Sequence, residues 1–392
     1  MKIGYSYWGY LGDVKFDLNG NLASTPDGNA FYSWSIINKL QEDGHEVFGI
    51  MPDRDRIGFN KLGRNLFGSW CNEQRNNAYA KIIDIWSGSP TQKDGHYSKE
   101  CFTKEIIFEV FKLRGVDKLD VILHEWRMPI KGRNYSVKDE TLYQPDLDIQ
   151  YALIEFCAEH NIKLIIFDLD YKINVEELRD FPNSGNNIYV FELGHKWQSF
   201  SQARHVEIPF DFRYIYEFPP IENYVNNNLV YVGNRYERDW CIDKYIPTEI
   251  KRVMVYGNWL ESNRNSQDKW PNINFGKRIQ TSDMRMIYGH SKATILLAKK
   301  EYLKNSFMTA RILEAVFYGC VPLFIEEYGE ETIKKYGGKL GKYLTVRDKA
   351  DVIDKVYALE DDNIRIKTIK YLRDHLKFMD VSNFVKEIYE II

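Results

Sequence analysis

The chain holds 392 residues, 44% apolar and 28% charged; this composition sets aside disordered and collagen-like proteins and leaves length for two domains with cores of their own. A formal net charge of −3 gives the surface no overall positive field, so any contact with nucleic acid has to be local. Cys71, Cys101, Cys157, Cys241 and Cys320 are scattered without a CxxC pair; that pattern argues against a disulfide framework or a zinc ribbon and fits a reducing cytoplasm.

The opening residues, Met1 to Tyr7, read as a strand rather than a signal peptide, and no later run reaches membrane-spanning length, so no membrane contact is expected. A Gly- and Asn-rich loop to Gly28 leads into a helix over 29–43, with Ile36, Ile37 and Leu40 at helical spacing, stopped by Gly44. The apolar run 46–51 then completes a βαβ opening. Residues 53–118 form a polar, Trp-containing insertion with one helix near 104–113. Strand 119–124, helix 147–160, strand 163–167 and strand 188–191 resume the alternation. Continuous apolar runs joined by helices imply parallel strands covered on both faces.

Prolines 209, 219 and 220 followed by three asparagines mark a hinge. Beyond it the alternation starts afresh: strands at 229–232, 253–257, 294–297 and 321–325, with helices near 240–245, 282–288 and 309–318. Helices over 349–358, 364–378 and 381–392 close the chain. The expected architecture is α/β, two doubly wound parallel-sheet domains facing each other, with ligands at the carboxyl ends of the strands. We place the first domain at residues 1–215, the second at 216–377, and a terminal helix at 378–392 that packs back on the first. A monomer is expected.

Three segments carry chemistry. In Asn305 to Ala315, Arg311 and Glu314 are three apart on one helical face near an N-terminal end that suits anions. There Arg311 would hold a diphosphate and Glu314 the hydroxyls of a ribose, although such pairs are equally common as surface ion pairs. Gly233 to Arg238 leaves a strand end with Arg235 and Arg238, able to neutralise a departing phosphate or simply to sit solvated in a loop. In Asp168-Leu169-Asp170-Tyr171-Lys172 an apolar strand runs out into carboxylates, either as a general base whose pKa Lys172 shapes, as a metal-holding DxD, or as a plain strand end. His124, at another strand end, would face an acceptor or serve the core. The tract from Arg54 to Arg75, interleaved with Phe59, Phe67 and Trp70, is a basic-aromatic patch or a solvated face. The absence of GxxxxGK[ST], HExxH, GxSxG and GxGxxG removes P-loop enzymes, zincins, serine hydrolases and typical dehydrogenases.

Together these segments resemble the bacteriophage DNA β-glucosyltransferase family, GT-B enzymes that move glucose from UDP-glucose onto hydroxymethylated cytosine. Tyr302, Phe307, Thr309, Arg311 and Glu314 stand in the family's order and spacing, followed by Leu323 to Tyr328. Tyr256-Gly257-Asn258 and Phe275-Gly276-Lys277 also match, as does Gln144 through Lys163 to Asp170. The resemblance implies that Asp170 deprotonates the acceptor hydroxyl and that Arg235, Arg238 and Arg311 stabilise the departing UDP, with Glu314 on the ribose. Gly233, Gly257, Tyr302 and Thr309 would complete the nucleotide-sugar site. Asn29, Asp168, Lys172 and His124 fall on the acceptor or sugar side. Asn29 stands where the family carries a Glu, and Arg235-x-x-Arg238 is one residue shorter than the family's Arg pair. The donor implied is UDP-glucose or another UDP-sugar, and the acceptor double-stranded DNA bearing a hydroxymethylated pyrimidine. A divalent metal such as Mg is compatible with the sequence but not required by it. Competing readings are a GT-B transferase acting on a polysaccharide or small molecule, and a nucleotide-sugar- or DNA-binding module without turnover. Against the retaining type of transferase, Ser306 stands where a second Glu would be.

Overall fold

A computed structural model describes residues 1–6, 14–24, 28–50, 64–65, 103–126, 145–168, 187–194, 202–215, 227–260 and 266–392. In chain order β1 (Lys2–Ser6) is followed by a hairpin of β2 (Lys15–Phe16) and β3 (Leu22–Ser24), helix α1 (Gly28–Glu42), β4 (Glu46–Gly49) and β5 (Arg64–Asn65). Then come α2 (Lys104–Arg114), β6 (Val121–Glu125), α3 (Pro145–Glu159), β7 (Lys163–Asp168), β8 (Ile188–Glu192) and β9 (Ala203–His205). The second half runs β10 (Asn227–Val232), α4 (Asp239–Tyr245), β11 (Val253–Tyr256), β12 (Asn274–Gly276), α5 (Thr281–Gly289) and β13 (Ser291–Leu296). It ends with α6 (Arg311–Phe317), β14 (Val321–Ile325), β15 (Thr345–Val346), α7 (Asp362–His375) and α8 (Val381–Ile391).

Two parallel sheets result, one of seven strands in the order β5-β4-β1-β6-β7-β8-β9 and one of six in the order β12-β11-β10-β13-β14-β15. Each starts at a central strand, grows to one side, then returns to grow on the other. The reversal lies between β1 and β6 in the first sheet and between β10 and β13 in the second, and at such reversals the loops leaving the strands diverge and open a crevice. This is the doubly wound α/β class read from the sequence.

Local chemistry explains the elements. In β6 every residue is buried, as a parallel strand covered on both faces requires. Gly4 is needed in β1 because a Cβ there would come within 2.6 Å of Ile50 and 2.7 Å of Leu119. Thr103 caps α2 through the Ile106 amide, and Gly115, at φ 76°, ends it. Phe108, Phe111 and Phe156 then pack edge to face between α2 and α3 over β6 and β7.

The chain divides into two compact units. The first comprises Met1–Val14, Asn29–Phe210 and Val381–Ile392, and the second Lys15–Gly28 and Asp211–Asp380. The chain thus enters the second unit between Phe210 and Asp211, a few residues before the boundary read at 215. It also makes an earlier excursion that the sequence did not signal. The stretch after β1, read as a plain loop, contains the β2–β3 hairpin, whose β3 packs on α5 of the second unit. Helices at Glu330–Gly337 and Gly341–Leu344 are further elements the periodicity did not reveal. At the carboxyl end of the chain, Phe384 of α8 sits edge-on to Phe167 at 5.0 Å and to Phe191 at 5.3 Å, covering β7 and β8.

Candidate functional site

The residues leaving β10 and β13 build a polar centre at the reversal point of the second sheet. The Gly233 amide donates to the Tyr256 carbonyl at 2.9 Å, and the Gly233 carbonyl accepts from the Trp259 indole at 2.7 Å. A Cβ on Gly233 would lie 2.5 Å from the Tyr231 hydroxyl and 2.8 Å from Nη2 of Arg311. The Arg311 guanidinium therefore lies directly against the backbone at the end of β10, and only glycine leaves it that room. Gly257, at φ 146°, has the same constraint: a Cβ there would meet the Gly233 carbonyl oxygen at 2.1 Å.

Arg311 opens α6. The helix begins there and not at Ser306 or Thr309, because Ser306 turns the chain at φ 55° and Ala310, without a capping side chain, precedes the first turn. Tyr302 stands edge-on to Phe307 at 4.8 Å and accepts the Phe307 amide at its carbonyl, fixing the loop that delivers Thr309 and Arg311. Arg311 buries Nη1 without a hydrogen-bond partner and lies 5.7 Å from the Tyr231 ring centre. The hydroxyls of Tyr231, Tyr288 and Tyr328 are buried around it and are likewise without partners. Burial raises the pKa of Tyr288 and Tyr328, so both remain neutral donors. Burial also pushes the Glu314 carboxyl above its usual range, with Arg311 opposing.

The two arginines after β10 take different places. Arg235 chelates Asp239 with Nε and Nη2, each at 2.7 Å, lies 5.3 Å from the Trp270 ring centre, and is committed to the start of α4. Arg238 is 3% exposed and points inward. Its Nη1 donates to the carbonyls of Asn234 and Tyr236 at 3.1 Å, and its Nε is buried without a partner. The charges of Arg238 and Arg311 both act on the Tyr328 hydroxyl. The structure thus brings together Gly233, Gly257, Arg238, Arg311 and Glu314 and turns Arg235 to a structural task. Sequence reasoning missed the three tyrosines, because Tyr231 sits in an apolar run that looks like core. It also missed Lys299, whose ammonium lies 5.3 Å from Tyr302 and 5.8 Å from Tyr236; its place just past β13 was the available signal.

In the first unit, polar side chains line the carboxyl ends of the strands: Ser6, His124, Glu125, Asp168 and Glu192, all at most 4% exposed. His124 Nε2 donates to Gln150 Oε1 at 3.0 Å, so Nδ1 accepts from the Ser6 hydroxyl at 2.9 Å. Both ring nitrogens are engaged, and burial lowers the pKa to about 4 despite the Gln150 bond. Glu125 accepts from the Tyr5 hydroxyl at 2.9 Å and from Ser33. Asp168 stands opposite Glu192 in the β7–β8 register. Asn29 lies in the first turn of α1. Asp170 and Lys172 lie outside the described residues, as does the tract 54–75 apart from Arg64 and Asn65. Among the described residues no three His, Cys, Asp or Glu side chains gather as metal ligands, and no helix is long and apolar enough to cross a membrane.

No protein-family model and no curated protein matches the chain. Solved structures do. Phage T4 BGT in complex with UDP-glucose matches with a TM-score of 0.58 at 14% identity, covering 100% of this chain and 99% of the other. A glycosyltransferase from Rickettsia africae matches at 0.55 and 12% identity over 100% and 97% of the two chains. The Anabaena protein HepE in complex with UDP matches at 0.51 and 9% identity over 100% and 99%. The fold is that of the GT-B glycosyltransferases.

Proposed function

We propose that the chain is an inverting, UDP-sugar-dependent glycosyltransferase that moves glucose to the hydroxymethyl group of a modified pyrimidine in double-stranded DNA. The observation that carries the donor half of this reading is the group of buried donors left without acceptors beside Gly233: Arg238 Nε, Arg311 Nη1 and the hydroxyls of Tyr231 and Tyr328. Unsatisfied buried donors are costly, about 1–3 kcal/mol each and more when charged, and a protein retains several in one place when a ligand supplies the acceptors. A diphosphate offers acceptor oxygens and two negative charges to match two guanidiniums. Glu314, one helical turn from Arg311, would accept from the ribose hydroxyls, with Gly257, Tyr302 and Thr309 around the nucleotide. The ligands bound in the similar structures, UDP-glucose in BGT and UDP in HepE, support the same donor class.

In the mechanism so assigned, Asp170 removes the proton from the acceptor hydroxyl as its oxygen attacks the anomeric carbon. The bond to the diphosphate breaks on the opposite face, and the negative charge developing on UDP meets preorganised cations. Because Arg235 is tied to Asp239, this role rests on Arg238 and Arg311. The order of residues along the chain supports the DNA acceptor through the family resemblance. A hydroxymethylated base would have to leave the duplex to be reached.

The test is incubation with a panel of UDP-sugars and with DNA containing cytosine, hydroxymethylcytosine or hydroxymethyluracil, followed by mass spectrometry of the nucleosides. A hexose mass gain on one hydroxymethylated base supports the proposal. Asp170→Asn is expected to lose at least a thousandfold in rate with UDP binding retained, and Arg311→Met to lose UDP binding about a hundredfold. UDP binding without any mass gain on DNA moves the acceptor to a polysaccharide or small molecule, and absence of UDP binding removes the donor assignment.

A further inference from the structure

At the amino ends of β1 and β4, on the edge of the first sheet opposite its polar strand ends, lies a crevice of about 710 Å³. Four of its lining side chains are basic, Lys2, His45, Arg114 and Lys118, and Glu46 is the one carboxylate among the lining residues. One wall is apolar, formed by Phe48 and by Leu113, which is 60% exposed.

Basic side chains at such a place often serve to satisfy helix carbonyls, since α1 and α2 both end here. Backbone groups already perform that task. The Gly115 amide donates to the carbonyls of Lys112 and Phe111. Likewise, the Gly44 and His45 amides donate to Gln41 at 3.0 Å and Leu40 at 3.1 Å. Nor are the lysines consumed by ion pairs: among the described residues neither Lys2 nor Lys118 has a carboxylate within 4.0 Å of its ammonium. His45, fixed edge-on to Tyr389 at 5.3 Å, buries Nδ1 without a partner.

We propose that this crevice binds a small organic anion, a phosphate or carboxylate carried on an apolar body, at a site separate from the UDP-sugar centre of the second unit. The charged head meets Lys2, Lys118, Arg114 and the imidazole, and the apolar body covers Phe48 and Leu113. The volume is in the range of pockets for ligands of several hundred daltons. The anion withdraws Leu113 from water and offers an acceptor to the imidazole, which burial and the nearby amino terminus hold below its usual pKa and which therefore takes part as a neutral donor.

Calorimetric titration of the full chain with phenyl phosphate, benzoate and phenol tests the assignment, with melts followed by circular dichroism to confirm that each variant is folded. Phenyl phosphate or benzoate is expected to bind, phenol not to, and whichever anion binds identifies the head group. Lys118→Glu and Leu113→Glu, both on exposed side chains, are expected to weaken that binding at least tenfold with unchanged melts, whereas Arg311→Met in the other unit leaves it intact. The proposal is overturned if neither anion binds, if phenol binds as well as they do, if binding survives both glutamate variants, or if Arg311→Met abolishes it.

Discussion

At the scale of single residues, the absence of a side chain at position 233 is what gives Arg311 its place in the second unit. The Gly233→Ala methyl would have to displace either the Tyr231 hydroxyl, 2.5 Å from its place, or the Arg311 guanidinium, 2.8 Å away. The backbone φ at Gly233 is not in the left-handed region, so the chain itself tolerates alanine and the damage falls on the arginine. UDP affinity is expected to drop at least tenfold in calorimetric titration while the melting temperature moves by only a few degrees. His124 yields a pH prediction. Its folded pKa of about 4 lies below the ordinary imidazole value of 6.5, so the unfolded chain binds a proton that the folded chain refuses. Stability is therefore complete above about pH 6.5 and lost as the pH falls toward 4, by up to about 3 kcal/mol. His124→Gln, measured by urea unfolding across that window, should show a flatter profile than the parent chain.

At the scale of elements, α6 is only seven residues long and could not hold Arg311 and Glu314 in place by its own helical propensity. Its carboxyl end is clamped from α7, where Arg373 donates Nε to the Val316 carbonyl at 3.1 Å and Nη2 to the Phe317 carbonyl at 2.7 Å. Arg373→Leu removes two charge-assisted bonds and is expected to destabilise the second unit by about 2–3 kcal/mol, read as a lowered denaturation midpoint, with a weakened UDP affinity as α6 loosens. Neither this clamp nor the start of the helix is legible in the sequence. Ser306 and Thr309 are both good capping residues by type, and only the turn at Ser306 shows why neither caps. The parallel strands were legible because burial on both faces leaves uninterrupted apolar runs such as Val321–Ile325. The β2–β3 pair was not, since two- and three-residue strands in a Gly- and Asn-rich stretch carry no period to read. Among the candidate site residues, spacing places Arg311 and Glu314 on one helical face, whereas the different environments of Arg235 and Arg238 depend on Asp239 and Trp270.

At the scale of the whole molecule, the two-unit GT-B fold limits what likeness can teach, because one such fold hosts many donors and acceptors. What is particular to this chain lies in the site residues and in how the units are threaded. Phe384 on α8 closes the face of β7 and β8 in the first unit, and Lys163 donates to the carbonyls of Ile391 and Ile392. Phe384→Ala leaves a cavity expected to cost about 3–5 kcal/mol. Scanning calorimetry should show the loss in a transition of the first unit, with that of the second nearly unmoved; a uniform shift of all heat absorption would show that the units melt together.

The Val381–Ile392 segment, which completes the first unit, is synthesised only after the whole of the second unit. A nascent chain therefore exposes Phe167 and Phe191 throughout the synthesis of some two hundred further residues, and the first half made is the last to become watertight. A chain stopped before this segment would carry a second unit complete in itself and a first unit whose β7 and β8 face is open to proteolysis.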